Sequence, residues 1–150
     1  MKFKKIFAWL AVILWMGLIF YLSSQAAEES RELSIGITQI IANFFETVFP
    51  FLEFDINSFH HFIRKAAHFS AYFVLGVLLI NAFRISGISM LNCVLSAISL
   101  SVLYAVVDEV HQIYVPGRVG DIRDIMIDSV GAIFGISLYV LILKFKKSKS

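Results

Sequence analysis

Long runs without a charged residue alternate along this chain with short clusters of charge. A bilayer core of about 30 Å is crossed by about 20 helical residues rising 1.5 Å each, and slightly shorter runs suffice. Four runs qualify, at 6–22, 66–83, 90–107 and 125–143. The first three hold no formal charge at neutral pH, and the fourth carries Asp128 near its start. Between the first two, Leu33, Ile37, Ile40, Ile41, Phe44 and Val48 recur at helical spacing with Ser34, Thr38, Asn43 and Glu46 elsewhere, the pattern of a helix lying in the membrane interface. Pro50 interrupts it, and Phe49, Phe51, Leu52 and Phe54 form an aromatic-rich patch suited to headgroup depth. Asp55 or Asn57 is then placed to cap a helix that starts near Ser58 and runs into the second span. The pattern predicts an all-α, polytopic membrane bundle in one domain over 1–150, with four transmembrane helices and an outer amphipathic segment at about 30–63.

Composition agrees, since 59% of residues are apolar against roughly 45 to 50% in soluble chains. The net charge of +2 does not point to nucleic acid, because no stretch joins clustered Lys and Arg to exposed stacking aromatics. The one cysteine, Cys93, forms neither an intrachain disulfide nor a multi-cysteine zinc site and reads as a small packing residue. Lys2, Lys4 and Lys5 before an apolar run, with Ser24-Gln25-Ala26 behind it, also fit a signal peptide. The uncharged run over 6–27 exceeds the 7 to 15 residues of a usual signal core, which favours a retained span. Lys and Arg near span ends stay on the cytoplasmic side. With both termini inside, the inner face holds Lys2, Lys4, Lys5, Arg84, Lys144, Lys146, Lys147 and Lys149 and no acid. Arg31, Arg64, Lys65, Arg118 and Arg123 then share the outer face with ten carboxylates. Both termini are therefore expected on the cytoplasmic side of the membrane.

Two polar groups meet at the outer face. Arg64, Lys65, His68 and Tyr72 open the second span at three- and four-residue spacing, His60 and His61 preceding them as interfacial residues. Asp108, Glu109, His111 and Gln112 close the third, before Pro116-Gly117 breaks the helix and presents Arg118. On the fourth, Asp121, Asp124, Asp128, Gly131 and Gly135 form one helical stripe whose two glycines let a neighbouring helix approach. Asp128 should face protein or water, because a carboxylate in lipid costs about 2.5 kcal/mol or more; Arg64, Lys65 or Arg118 is its expected partner. Arg64, Lys65 and Arg118 suit a phosphate or pyrophosphate headgroup, Arg with bidentate contacts and Lys as a point charge.

These residues resemble the VanZ-like family of small bacterial membrane proteins over roughly 14–135. The carriers are Ser23-Ser24-Gln25, Arg64-Lys65 with His68 and Tyr72, the run from Asp108 through Gln112, Val115-Pro116-Gly117-Arg118, and Asp124 with Asp128, Gly131, Ala132 and Gly135. Asp121 is less typical of the family, and 28–62 and the lysine tail match no motif of it. The resemblance implies a cell-envelope protein linked to reduced susceptibility to glycopeptide antibiotics, teicoplanin rather than vancomycin, and brings no enzymatic reaction with it.

Three functional readings follow. In the first, Arg64, Lys65, Tyr72, Gln112, Arg118, Asp124 and Asp128 bind a lipid-linked cell-wall precursor or the acyl tail of a lipoglycopeptide, among membrane lipids. In the second, a membrane enzyme uses His111 or His68 as nucleophile or base, oriented by Asp108 or Glu109, on a lipid-linked phosphate. In the third, the charges are a structural ion-pair network. No cofactor is expected. A metal held by His68, Glu109, His111 and Asp124 is disfavoured because Arg and Lys crowd the site.

Overall fold

The computed structural model describes residues 2–25, 35–36 and 56–148, with the backbone alone at 56–61 and 147–148. Four long helices follow one another: α1 (Lys2–Ser23), α2 (Ile56–Ile85), α3 (Met90–Gln112) and α4 (Ile122–Ser148). Among the described residues there is no strand. Each helix contains a segment long and apolar enough to cross a membrane: Lys2–Ser23, Phe62–Ile85, Met90–Gln112 and Ile122–Lys146. The expected interfacial segment lies outside the described residues, apart from Ile35 and Gly36, which are helical, and the backbone from Ile56.

The helices overrun the charge-free runs. Hydropathy stops a span at its first charge, whereas the backbone ladder continues through a charged side chain that finds a partner or water. Thus α3 reaches Gln112 rather than ending at 107, carrying Asp108, Glu109 and His111 on regular helix, and α4 begins at Ile122, placing Asp124 in its first turn. Helix α2 includes Ile56, two residues before its predicted start near Ser58. Asn57 therefore lies within it rather than capping it, and Asp55 is outside the described residues.

Apolar side chains face out of the bundle as well as into a core that includes Leu75, Leu79, Ile80 and Ile136. Phe7, Leu14, Leu91, Leu103 and Phe134 are exposed on the outside of the bundle, while Ser23, Ser101, Asp108, Glu109, Gln112, Asp124 and Asp128 are buried inside it. Apolar side chains gain nothing by leaving hydrocarbon, so the interior collects small residues and polar pairs. Helix α2 is central, touching the other three and packing most intimately on α4. The glycine stripe explains that intimacy. A Cβ at Gly131 would fall on the Phe69 carbonyl and one at Gly135 on the Phe73 carbonyl; from the other side, one at Gly76 would fall on the Ala132 carbonyl. No bulkier residue fits any of the three positions at this helix spacing.

Helix α1 is tied on by indoles and hydroxyls. Trp15 Nε1 donates to the Ala71 carbonyl at 2.9 Å, and Tyr104 of α3 donates its hydroxyl to the Met16 carbonyl at 2.6 Å.

Candidate functional site

The polar site forms where α3 turns into α4. Val115, Pro116, Gly117 and Arg118 make the connecting turn, closed by the Arg118 N–H on the Val115 carbonyl at 3.1 Å, with Gly117 at φ +76°. Proline presets the second position and glycine supplies the left-handed third, so the sequence fixes a tight type II reversal. The reversal folds Arg118 back over the bundle. Its Nε donates to the Gln25 carbonyl at 3.1 Å, one terminal nitrogen to Gln112 Oε1 at 3.0 Å and the other to the Leu22 carbonyl at 3.5 Å. Gln112 Nε2 in turn donates to Asp108 Oδ2 at 3.2 Å, an oxygen that also accepts the Ser23 hydroxyl at 2.9 Å. One guanidinium thus clasps the end of α1 to the end of α3.

Next to this clasp, Asp124 accepts Lys65 Nζ at 2.7 Å and stands 3.8 Å from an Arg64 terminal nitrogen. Adjacent residues on α2 therefore share one carboxylate on α4, with Arg64 the more exposed of the two cations at 38%. One turn deeper the pairing changes. His68 Nδ1 lies 3.5 Å from Asp128 Oδ1, and donor atoms of His68, Asp108 and Asp128 all fall within 4.8 Å of one another. Asp108 and Asp128 are each 1% exposed.

This corrects the expected partner of Asp128. Arg64 and Lys65 sit a turn shallower and reach Asp124, while Arg118 is spent on Gln112 and two carbonyls, so His68 meets Asp128. The arrangement proposed around His111 is likewise not formed. Its ring stacks on Phe20 of α1, centroids 4.2 Å apart at 28°, and its Nε2 is buried with no partner. Asp108 is engaged by Ser23 and Gln112, and Glu109 Oε1 accepts the backbone N–H of Asp121, so neither carboxylate orients His111. Glu109 instead anchors the start of α4. Asp121 caps it, its Oδ1 accepting the Arg123 N–H at 2.9 Å. Tyr72 continues the His68 row as expected and is wholly buried, its hydroxyl unpartnered.

Ser23 and the Leu22 and Gln25 carbonyls complete the clasp from α1. Ser23 and Gln25 carry the family resemblance but are not among the candidate site residues, and nothing in a carbonyl's own residue type announces such a role. For Ser23, a hydroxyl at the last turn of a helix whose uncharged run starts at Ile6 is the available signal.

Four membrane-length helices around buried Asp108, Gln112, Asp124 and Asp128, with partly buried His68 and Arg118 beside them, define a multi-pass membrane protein with an internal polar site. The chain belongs to the VanZ/LLP1 family, whose model matches residues 7–143 and so takes in every element of that site. Compared with curated proteins and with solved structures, it matches none.

Proposed function

We propose that this chain acts in a bacterial cell envelope, with both termini cytoplasmic, and that its outer mouth engages the phosphate of a lipid-linked cell-wall component, lowering susceptibility to teicoplanin. The supporting observation is the crowding of guanidinium groups there. Burial holds the half-buried Arg118 below the usual arginine range, and the charge of Arg64 pushes it the same way. Two guanidiniums that repel one another across a mouth gain from an anion between them, and arginine is the residue that meets phosphate oxygens in pairs. Lys65 adds a third cation, partly offset by Asp124. The mouth sits at the end of the spans, the depth at which a lipid-linked phosphate travels, and teicoplanin carries an acyl chain that brings it to the same interface.

The test is expression in a teicoplanin-susceptible Gram-positive host, with membrane abundance measured beside susceptibility. Wild type should raise teicoplanin tolerance and leave vancomycin nearly unchanged. Arg64→Ala and Arg118→Ala, present at wild-type abundance, should lose that protection, with Arg64→Lys retaining part of it. A wild type without effect, or two alanine variants that protect fully, overturns the reading.

A further inference from the structure

The deep cluster below the mouth has a geometry that the paired charges above it lack. The structure assigns to His68, Asp108 and Asp128 a binding site for a divalent transition-metal cation of the zinc class, a proposal that stands independently of the lipid-phosphate reading.

The first ground is unspent donor capacity. Asp108 Oδ1, Asp128 Oδ1 and the Tyr72 hydroxyl are all buried without a hydrogen-bond partner, and buried polar atoms are paired in the great majority of cases. Tyr72 lies one turn along α2 from His68, within electrostatic reach of both carboxylates. Three unpartnered atoms of this kind, on three different helices, call for one shared occupant.

The second ground is distance. His68 Nδ1 and Asp128 Oδ1 are 3.5 Å apart, long for a charge-assisted hydrogen bond. Two ligands with that separation on an ion at about 2.1 Å subtend about 110°, close to the tetrahedral angle. The whole donor set lies within 4.8 Å, and ligands of one tetrahedral ion with bonds of that length stand about 3.4 Å apart. Side-chain movements that shorten the longest separation by about 1.4 Å therefore complete the site. One imidazole with two carboxylates is a donor set for zinc, manganese or ferrous iron rather than for calcium or magnesium, which take oxygen alone. With three protein ligands, a fourth position stays open.

The cations do not crowd this deep layer. Arg64 and Lys65 pair with Asp124, and Arg118 with Gln112 and two carbonyls, so the cations occupy the layer above while the deep layer has two carboxylates and one histidine. Ionised carboxylates in that deep layer carry negative charge, which a divalent cation neutralises. Ser23 and Gln112, both donating to Asp108 Oδ2, leave Oδ1 as the metal-facing oxygen and fix the carboxylate's orientation.

The experiment uses the full chain, purified in neutral detergent through a tag without histidine, stripped with chelator and reloaded with Zn²⁺ or, as a spectroscopic probe, Co²⁺. Wild type should retain one equivalent after gel filtration and give a Co²⁺ ligand-field spectrum of low coordination number. Asp108→Asn and Asp128→Asn, eluting as wild type does, should weaken Zn²⁺ affinity at least about tenfold, whereas Tyr139→Phe at the far end should bind normally. Should neither aspartate variant fold, zinc-edge X-ray absorption of the loaded wild type decides without a substitution: one imidazole nitrogen with oxygen ligands at about 2.0–2.2 Å supports the site. A wild type that retains no ion, an absorption spectrum of water ligands only, or an Asp128→Asn variant that binds as wild type overturns it.

Discussion

At the end of the bundle where α2 turns into α3, the polar side chains form short, closed sets. Trp9 Nε1 donates to Ser86 Oγ at 3.1 Å, Arg84 Nε donates to the Tyr139 hydroxyl at 2.9 Å, and that hydroxyl donates onward to Asn81 Oδ1 at 2.8 Å. Arg84 also lies over the Tyr139 ring, 5.7 Å from its centroid. Toward the opposite end, Tyr72, Asp108, His111 and Asp128 each bury a polar atom that has no partner. Ser101, at mid-bundle, is the one other described residue in that condition. The contrast separates two uses of polarity inside a membrane protein. Satisfied groups hold helices together. Unsatisfied groups carry a cost that a fold tolerates where a ligand repays it.

Both ends hang from the seam between α2 and α4, so the largest effect belongs there. Gly135→Leu drives a side chain onto the Phe73 backbone, which cannot turn away as a flexible side chain would. Overpacking of this kind costs about 3 kcal/mol or more, and the expected outcome is loss of monodisperse protein in detergent, together with both polar sets. A Gly135→Leu variant that elutes and melts as wild type would mean that α2 and α4 are not in backbone contact, and the comparison of the two ends would lose its frame.

The middle-sized effects set one end against the other. Tyr139→Phe deletes a hydroxyl that both accepts and donates, so stability should fall by about 1–2 kcal/mol, read from the thermal midpoint in detergent, while teicoplanin tolerance is retained. Asp108→Asn keeps shape and one acceptor while removing a buried carboxylate, so in chelator-treated protein the midpoint should stay within about 1 kcal/mol of wild type, while Zn²⁺ affinity falls at least about tenfold. If Asp108→Asn instead melts far below wild type with its Zn²⁺ affinity intact, the polar end is structural after all and resembles its opposite.

How much of this was legible in the residues depends on range. Four helices, the glycine seam and the turn at Pro116-Gly117 are written locally, in run length, in four-residue spacing and in a residue pair whose backbone preferences leave one reversal open. The membership of the site was legible too, because charge in an apolar chain is conspicuous. Pairing was not. Asp124 and Asp128 lie on one stripe, and only the depth at which α2 crosses α4 decides that Lys65 meets the first and His68 the second. For the same reason His111 read as a partner of Asp108: they share a helix end three residues apart, and the approach of Phe20 on α1 places the imidazole elsewhere.

The smallest expected effect sharpens the idea that the α2–α3 end is held by independent, modest contacts. Trp9 stands edge-on to Phe83, centroids 5.1 Å apart at 90°, besides its bond to Ser86. Trp9→Phe keeps an aromatic ring for the edge contact and removes the donor, so the loss should be about 0.5–1 kcal/mol. Ser86→Ala should cost about as much, and a double-mutant cycle should return a coupling of similar size, since each change breaks the same bond. A coupling well above that range would show Trp9 and Ser86 acting through a wider network, joined through Phe83 to Arg84 and Tyr139. The α2–α3 end would then be a single cooperative lock rather than a set of separate ties, and Tyr139→Phe would have to be measured again in the Trp9→Phe background before its cost could be read as the loss of two hydrogen bonds.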